Sequence, residues 1–146
     1  MYTAYLQQLL PALQVTNLPR SLYFKPNIPE RKLTAALDSY AHILEPQIQK
    51  VWFLYDGTLW GGARDGFVIT SDLHLYGRTS SYKLRFQLPL LTSTVQVESK
   101  KDGANIFVDG TEVLYGSMPK CTWFQHFFAC LKARSLDFSD PAFQQS

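Results

Sequence analysis

The sequence predicts an α+β fold in which a seven-stranded antiparallel bent sheet or barrel follows N-terminal helices and is capped by a C-terminal helix. Apolar residues have helical spacing near both ends of the chain, and between residues 48 and 117 they alternate with a period of two. Turn residues such as Asp-Gly and Thr-Ser-Ser interrupt the alternating part, which is typical of short strands joined by hairpins. A length of 146 residues, 46% of them hydrophobic, predicts a single domain over 1–146.

The first 29 residues are predicted to form a short helix and a proline-rich linker, and residues 30–146 the rest of the domain. Apolar side chains at helical spacing predict a helix over residues 2–10, which Pro11 should end because proline lacks an amide hydrogen. The segment 17–29, NLPRSLYFKPNIP, has three prolines and no clear period. We expect an extended linker there, held on the body of the domain by residues 22–24.

A second helix and the strands follow this linker. Pro29 suits the first turn of a helix, the apolar residues from Leu33 to Leu44 have helical spacing, and Pro46 should close the helix. The predicted strands are rich in β-branched and aromatic residues. Their sequences are IQKVWFLY, FVITS, LHLYGR, YKLRFQL, TVQVES, NIFVDG and EVLYGS.

Residues 120–135 predict a final helix with one broad apolar face, which must pack on a hydrophobic surface. The residues of this face are Trp123, Phe124, Phe127 and Leu131. Phe128 lies about 100° round the helix from Phe127, so we expect it at the margin, where it can contact a partner. Cys121 and Cys130 lie on opposite faces of this helix, too far apart for a disulfide bond.

Charge and composition exclude several classes of partner. Lys and Arg number 14 against 12 Asp and Glu, and a net charge of +2 predicts no nucleic-acid partner. No signal peptide and no integral membrane segment are predicted, because the N-terminus lacks a basic region and no apolar run approaches about 18 residues. Unpaired cysteines and the lack of an Asn-x-Ser/Thr acceptor favour the cytoplasm. No cofactor and no metal site are predicted.

The stretch YDGTLWGGARDGFVIT, residues 55–70, contains four glycines and two aspartates between two apolar segments. It lacks the lysine of a phosphate-binding loop, the glycine spacing of a dinucleotide-binding motif and the alternating oxygen ligands of a calcium loop. Asp-Gly favours a type I′ hairpin turn, so we predict a turn here and not a ligand-binding loop. For Trp60 two alternatives stay open: it anchors a partner, or it folds back beneath residues 21–24.

The order helix, strand, YDGTLWGGARDGFVIT, hairpins, VDGTEVLY, helix resembles the bacterial pleckstrin-homology-like families. The resemblance includes a helix with Tyr-Ala, an Asp-x-Thr turn, a glycine-rich entry into Asp-Gly-Phe-x-x-Thr, and a strand with Leu beside Tyr. The matching positions are Tyr40, Ala41, Asp56, Thr58, Gly61, Asp65, Gly66, Phe67, Thr70, Leu75 and Tyr76. Such a resemblance, over residues 33–116, implies a seven-stranded barrel capped by a C-terminal helix, and a binding role instead of a catalytic one.

We therefore predict a non-catalytic protein-binding module of the bacterial cytoplasm. One form is an immunity or antitoxin-like protein that blocks a cognate toxin, because carboxylates in exposed turns can engage a basic cleft. The alternative form is a stand-alone adaptor or self-assembling subunit, which binds another protein or a second copy of itself. The residues predicted to contact a partner are Asp56, Trp60, Arg64, Asp65, Asp102, Asp109 and Phe128.

Two other functions are less favoured. A lipid-binding pleckstrin-homology domain usually has several basic residues in its first hairpin loop, whereas this loop offers only Arg64. A metal-dependent nuclease would use Glu98 and Lys100, which point to one face of a strand, together with a carboxylate such as Asp72. The chain lacks the flanking helices of such nucleases, and its three histidines have no spacing typical of a metal site or a catalytic triad.

Overall fold

The computed structural model describes residues 2–58, 61–79 and 83–144. This part of the chain forms an α+β fold with three α-helices and two antiparallel sheets. The helices are α1 (Thr3–Gln14), α2 (Glu30–Ser39) and α3 (Met118–Ala133). The strands are β1 (Leu22–Phe24), β2 (Val51–Asp56), β3 (Gly66–Thr70), β4 (His74–Arg78), β5 (Arg85–Pro89), β6 (Val95–Lys100), β7 (Gly103–Val108) and β8 (Thr111–Gly116). Short 3₁₀ segments span His42–Lys50, which has a kink at Gln47, Leu90–Thr92 and Pro141–Gln144.

The chain divides into two compact units. Ser21–Pro89 form the central unit, and Met1–Arg20 with Leu90–Ser146 form the terminal unit. The predicted α+β class, antiparallel strands and C-terminal helix are confirmed, but the strands form one sheet of five and one of three. Within the described ranges neither sheet closes into a barrel. The assignment of the whole chain to one domain stays a prediction.

The central unit contains the five-stranded sheet, in which β1 to β5 lie in chain order. The apolar face of α2 packs on this sheet and forms a core with it. The core members are Ala36, Leu37, Tyr40, Ala41, Leu44, Val51, Leu54, Ala63 and Val68. Gly66 begins β3 at φ +125°, and a Cβ atom there would lie 2.0 Å from the carbonyl oxygen of Tyr55. Only glycine therefore fits at this position.

The segment predicted to be an extended linker contains a strand. β1 pairs antiparallel with β2, placing Leu22 opposite Tyr55 and Phe24 opposite Phe53. Leu22 and Phe24 are buried, and Tyr23 between them is half-buried, which is the period of two expected of a strand. The segment is extended and held by residues 22–24 as expected, but its pairing with β2 was not predicted, because three residues among prolines are too few to show a period.

The terminal unit packs α3 on the sheet formed by β6, β7 and β8. The helix begins after Ser117, whose side chain accepts a hydrogen bond from the backbone N–H of Lys120, and ends at Arg134 in the left-handed region with φ 51°. The predicted apolar face is confirmed by burial of Trp123, Phe124, Phe127 and Leu131.

The predicted position of Phe128 at the margin of this face was wrong. Its side chain is 0% exposed, and its ring centroid lies 6.0 Å from those of Phe124 and Phe127. A helix packed on a sheet along one side and on other segments along its flanks buries more than one stripe, so α3 is apolar over most of its circumference.

Two helix boundaries also differ from prediction. α1 continues through Pro11 because Leu13 beyond it is buried, and its burial offsets the hydrogen bond that proline cannot make. α2 ends at Ser39 and not near Leu44, since Tyr40 has the non-helical φ of −145°.

Candidate functional site

The loop 57–65, which joins β2 to β3, is organised by the carboxylate of Asp56. Asp56 lies opposite Gly66 across the two strands, so the connection has nine residues and is not the predicted two-residue type I′ turn. Oδ1 of Asp56 accepts hydrogen bonds from the backbone N–H and the hydroxyl of Thr58, at 2.9 and 2.5 Å, and from the backbone N–H of Ala63 at 3.2 Å. Since Asp56 is 4% exposed, the loop folds around this carboxylate.

The other oxygen of the same carboxylate binds Lys32, in the first turn of α2. Nζ of Lys32 donates to Oδ2 of Asp56 at 2.6 Å and to the carbonyl oxygen of Gly61 at 2.7 Å. The ammonium group also lies 5.5 Å from the ring centroid of Tyr23. Burial alone would raise the pKa of Asp56, but the hydrogen bonds from Lys32 and Thr58 outweigh burial and hold this pKa below its ordinary value. Asp56 is therefore ionised at neutral pH.

Asp65, at the far end of the loop, lies between two cations. Lys83 donates to its Oδ2 at 2.8 Å, and Nε of Arg78 lies 3.3 Å from its Oδ1 as an ion pair without a hydrogen bond between these two atoms. Arg78 also donates to the hydroxyl of Ser39 at 3.1 Å, and this hydroxyl donates to the carbonyl oxygen of Arg64 at 2.6 Å. These contacts fix α2, β4 and the loop to one another.

The two carboxylates of the loop are thus balanced by three cations of the same unit. Asp56 and Asp65 are 4% and 6% exposed, and each is already ion-paired. Such carboxylates are suited to holding the loop and not to acid–base chemistry. Sequence reasoning missed Lys32 and Ser39. Lys32, Ala36 and Ser39 have the spacing i, i+4 and i+7, which places them on one face of α2. This shared face with the apolar Ala36 was the sequence signal that Lys32 and Ser39 are buried.

The remaining predicted site residues do not meet at one site. Arg64 is exposed in the central unit, whereas Asp102 and Asp109 are exposed in the terminal unit. The backbone N–H of Thr94 donates to Asp109 and lowers the pKa of its carboxyl group. Trp60 lies outside the described residues. Partner contact by these side chains stays a prediction.

A groove of about 320 Å³ lies beside β5 in the central unit. We call it the β5 groove. Ile43, one of its lining residues, is 68% exposed. The groove therefore contains an apolar side chain that remains in contact with water. Its lining residues are Tyr40, His42, Ile43, Tyr76, Arg85, Phe86 and Gln87.

A cavity of about 310 Å³ in the terminal unit brings His126, Cys130 and Asp140 together, residue types used in nucleophilic catalysis. Nδ1 of His126 lies 3.3 Å from the carboxylate of Asp140. The thiol of Cys130, however, donates to the carbonyl oxygen of Asp137 at 3.7 Å. Burial raises the pKa of Cys130, and the charge of Asp137 raises it further. A protonated thiol bound to a carbonyl oxygen is not an activated nucleophile.

The residues of the nuclease alternative form a surface pair. Nζ of Lys100 lies 2.6 Å from the carboxylate of Glu98, and both side chains are exposed on β6. In the part of the chain that the structure describes, no group of three His, Cys, Asp or Glu side chains could hold a metal ion. Within the same residues, every helix is too short or too polar to cross a membrane.

Comparison with protein-family models, with curated proteins and with solved structures gives no match to this chain. The resemblance to bacterial pleckstrin-homology-like families stays an expectation from the sequence. Function is therefore inferred from the contacts and surfaces described above.

Proposed function

We propose that this chain is a non-catalytic protein-binding module that contacts its partner through the β5 groove. The observation that carries the proposal is the exposure of Ile43, which is 68% exposed in a groove that Tyr76 and Arg85 also line. Tyrosine and arginine are enriched among the residues that contribute most to protein–protein binding. An isoleucine in water lacks the roughly 1.5 to 3 kcal/mol that its burial contributes, and a partner that covers it restores this free energy.

The network of the loop 57–65 supports the groove. Ser39, which binds Arg78, directly precedes the groove residue Tyr40, and Arg78 lies two residues after the groove residue Tyr76 on β4. Side chains two apart on a strand share a face, so the fixed Arg78 helps to hold this face of β4 in place. A groove held rigid before binding loses less conformational entropy when a partner docks.

A pleckstrin-homology-like architecture is the form of the fold that we propose. The support is the strand order: β2 to β5 are consecutive in one sheet, β6 to β8 are consecutive in the other, and α3 follows β8 directly. In this interpretation β1 is an addition to the first sheet. The free thiols of Cys121 and Cys130 are compatible with the reducing bacterial cytoplasm that we predict.

Of the two forms of partner, the adaptor form is favoured. A toxin-blocking protein that presents carboxylates to a basic cleft would need them exposed, whereas Asp56 and Asp65 are buried in ion pairs. Asp102 and Asp109 are the exposed members of the predicted acidic set. The β5 groove carries Arg85, which favours a partner with apolar and acidic side chains.

The test is photo-crosslinking in the native cell. A photoreactive amino acid replaces Ile43 in one variant, Gln87 in a second and the exposed Arg31 of α2 in a third, which is the control. We expect one protein, identified by mass spectrometry, to be captured from positions 43 and 87 and not from position 31. The same adducts from all three positions, or none from 43 and 87, would contradict a binding role for the groove.

A matched pair of variants separates binding from folding. Ile43→Asp should abolish capture from position 87, while Ile48→Asp, beyond the kink at Gln47 and outside the groove lining, should leave it unchanged. Ile43 and Ile48 are both exposed, so neither variant should shift the melting temperature by more than about 2 °C.

A further inference from the structure

β5 is an outer strand of its sheet. The five strands lie in the order β1 to β5, and no other strand of the described ranges pairs with the far side of β5. Such an edge presents backbone N–H and C=O groups that can pair with a further strand. On this strand the side chains of Arg85 and Gln87 are exposed.

The register of β4 and β5 identifies which groups face outward. The backbone N–H of Thr79 donates to the carbonyl oxygen of Leu84, so this pair is hydrogen-bonded. Hydrogen-bonded and non-hydrogen-bonded pairs alternate along an antiparallel ladder, which makes Phe86 and Leu88 the next residues bonded to β4. The backbone groups of Arg85 and Gln87, between them, point away from β4.

The side chains of these two residues also line the β5 groove. Gln87 lies opposite Tyr76 on β4, and Arg85 lies two residues before Gln87, so all three side chains share one face of the sheet. A strand added to the outer edge would alternate its own side chains between two faces. Every second one would therefore enter the groove, near Ile43.

Charge and polarity define the chemistry of such a strand. Arg85 is the one residue of the groove lining with a permanent charge, and the lining histidine, His42, faces Glu45 at 3.2 Å. We propose that the partner supplies an extended segment that pairs with the outer edge of β5, places a carboxylate against Arg85, and places an apolar side chain against Ile43. The proposal rests on the proposed function, because it specifies how the same groove is occupied.

The direct test is an NMR titration of the full chain with a defined probe. The probe is a seven-residue peptide of alternating valine and glutamate, and its control replaces each glutamate by lysine. We expect saturable shifts of the Arg85 and Gln87 amide signals with the acidic peptide. Arg85→Glu should weaken its binding at least tenfold and should improve binding of the lysine peptide. Shifts centred elsewhere, no saturable binding up to millimolar peptide, or equal binding by Arg85→Glu would overturn the proposal.

A proline scan tests the backbone contact. Gln87→Pro removes a donor that faces outward, so the chain should still fold and its affinity for the acidic peptide should fall at least tenfold. Leu88→Pro removes a donor that faces β4 and should lower the melting temperature much more. If Gln87→Pro unfolded the chain, or bound the peptide as wild type does, the edge assignment would be wrong.

The crosslinking experiment keeps the two proposals distinct. A partner captured from position 43 equally well in wild type and in Gln87→Pro would leave the groove as a binding surface and would exclude strand addition. Absence of any capture from positions 43 and 87 in wild type would instead exclude the binding role itself.

Discussion

Asp56→Ala should destabilise the protein severely, because it leaves Lys32 buried without its counter-ion. The side chains of Asp56 and Lys32 are 3% and 11% exposed, and the two charged atoms lie 2.6 Å apart. Removing one partner of a buried ion pair costs about 3 to 5 kcal/mol. The variant also deprives Thr58 and Ala63 of an acceptor, so we expect the upper part of this range.

Urea unfolding measures this loss. At an m-value of about 2 kcal/mol per M, a loss of 4 kcal/mol lowers the midpoint by about 2 M. Asp102→Ala, at an exposed aspartate in the β6–β7 turn, is the matched control and should change the unfolding free energy by no more than about 0.5 kcal/mol.

A double variant tests the cause. Lys32→Met with Asp56→Ala removes both charges, and it should recover much of the stability that Asp56→Ala loses, because no buried charge then remains unpaired. The reasoning would be refuted if Asp56→Ala cost less than about 1 kcal/mol, or if the double variant were no more stable than the single one.

Three further outcomes are expected. Gly66→Ala should lower the free energy of unfolding by more than the roughly 1 to 3 kcal/mol of a strained φ, because the new Cβ atom also meets the backbone of β2. In Gly62→Ala the new Cβ atom has no neighbour within 4 Å, so this variant should be nearly neutral in thermal unfolding. Phe128→Ala should cost about 3 to 5 kcal/mol in urea unfolding, and Tyr115→Ala, which is 50% exposed, should cost less than about 1 kcal/mol. Folding lowers the pKa of Asp56, so the ionised carboxylate stabilises the fold fully above about pH 4. This stabilisation is lost as pH falls through the pKa that Asp56 has in the folded protein. The unfolding curves of wild type and Asp56→Ala should therefore converge in acid.

Seven strands and the last helix could be predicted because their apolar patterns repeat over enough residues to define a period. Seven of the strands repeat a period of two or an apolar run over five or six residues, and α3 repeats large apolar residues over four turns. β1 could not be predicted, since three residues do not establish a period. The sequence predicts a helix end at Pro11 because the lost hydrogen bond of proline is local, while the burial of Leu13 that offsets this loss depends on the tertiary structure.

The contacts of the loop could not be predicted from local rules. A lysine in an amphipathic helix lies on the solvent face by default, and the groups that make the burial of Lys32 favourable, the carboxylate of Asp56 and the carbonyl oxygen of Gly61, are distant in sequence. The same holds for Asp65, whose cations Arg78 and Lys83 come from β4 and the segment before β5. The glycines and aspartates of the loop indicated a turn, but not that its carboxylates point inward. Phe128 was misplaced because one apolar stripe was assumed where α3 is enclosed on several sides.

The connectivity of the terminal unit has a consequence for folding during synthesis. The hydroxyl of Tyr5 lies 3.2 Å from the carbonyl oxygen of Cys130, a contact that spans 125 residues of chain. At about 5 to 20 residues per second, a ribosome needs roughly 6 to 25 s to make that span. The central unit, a continuous segment, emerges complete within this interval, so it can fold first while the buried leucines of α1, Leu6, Leu9 and Leu13, still lack residues 90–146 of their own unit. Until residues 90–146 are made, the apolar face of α1 therefore stays open to water or to a chaperone.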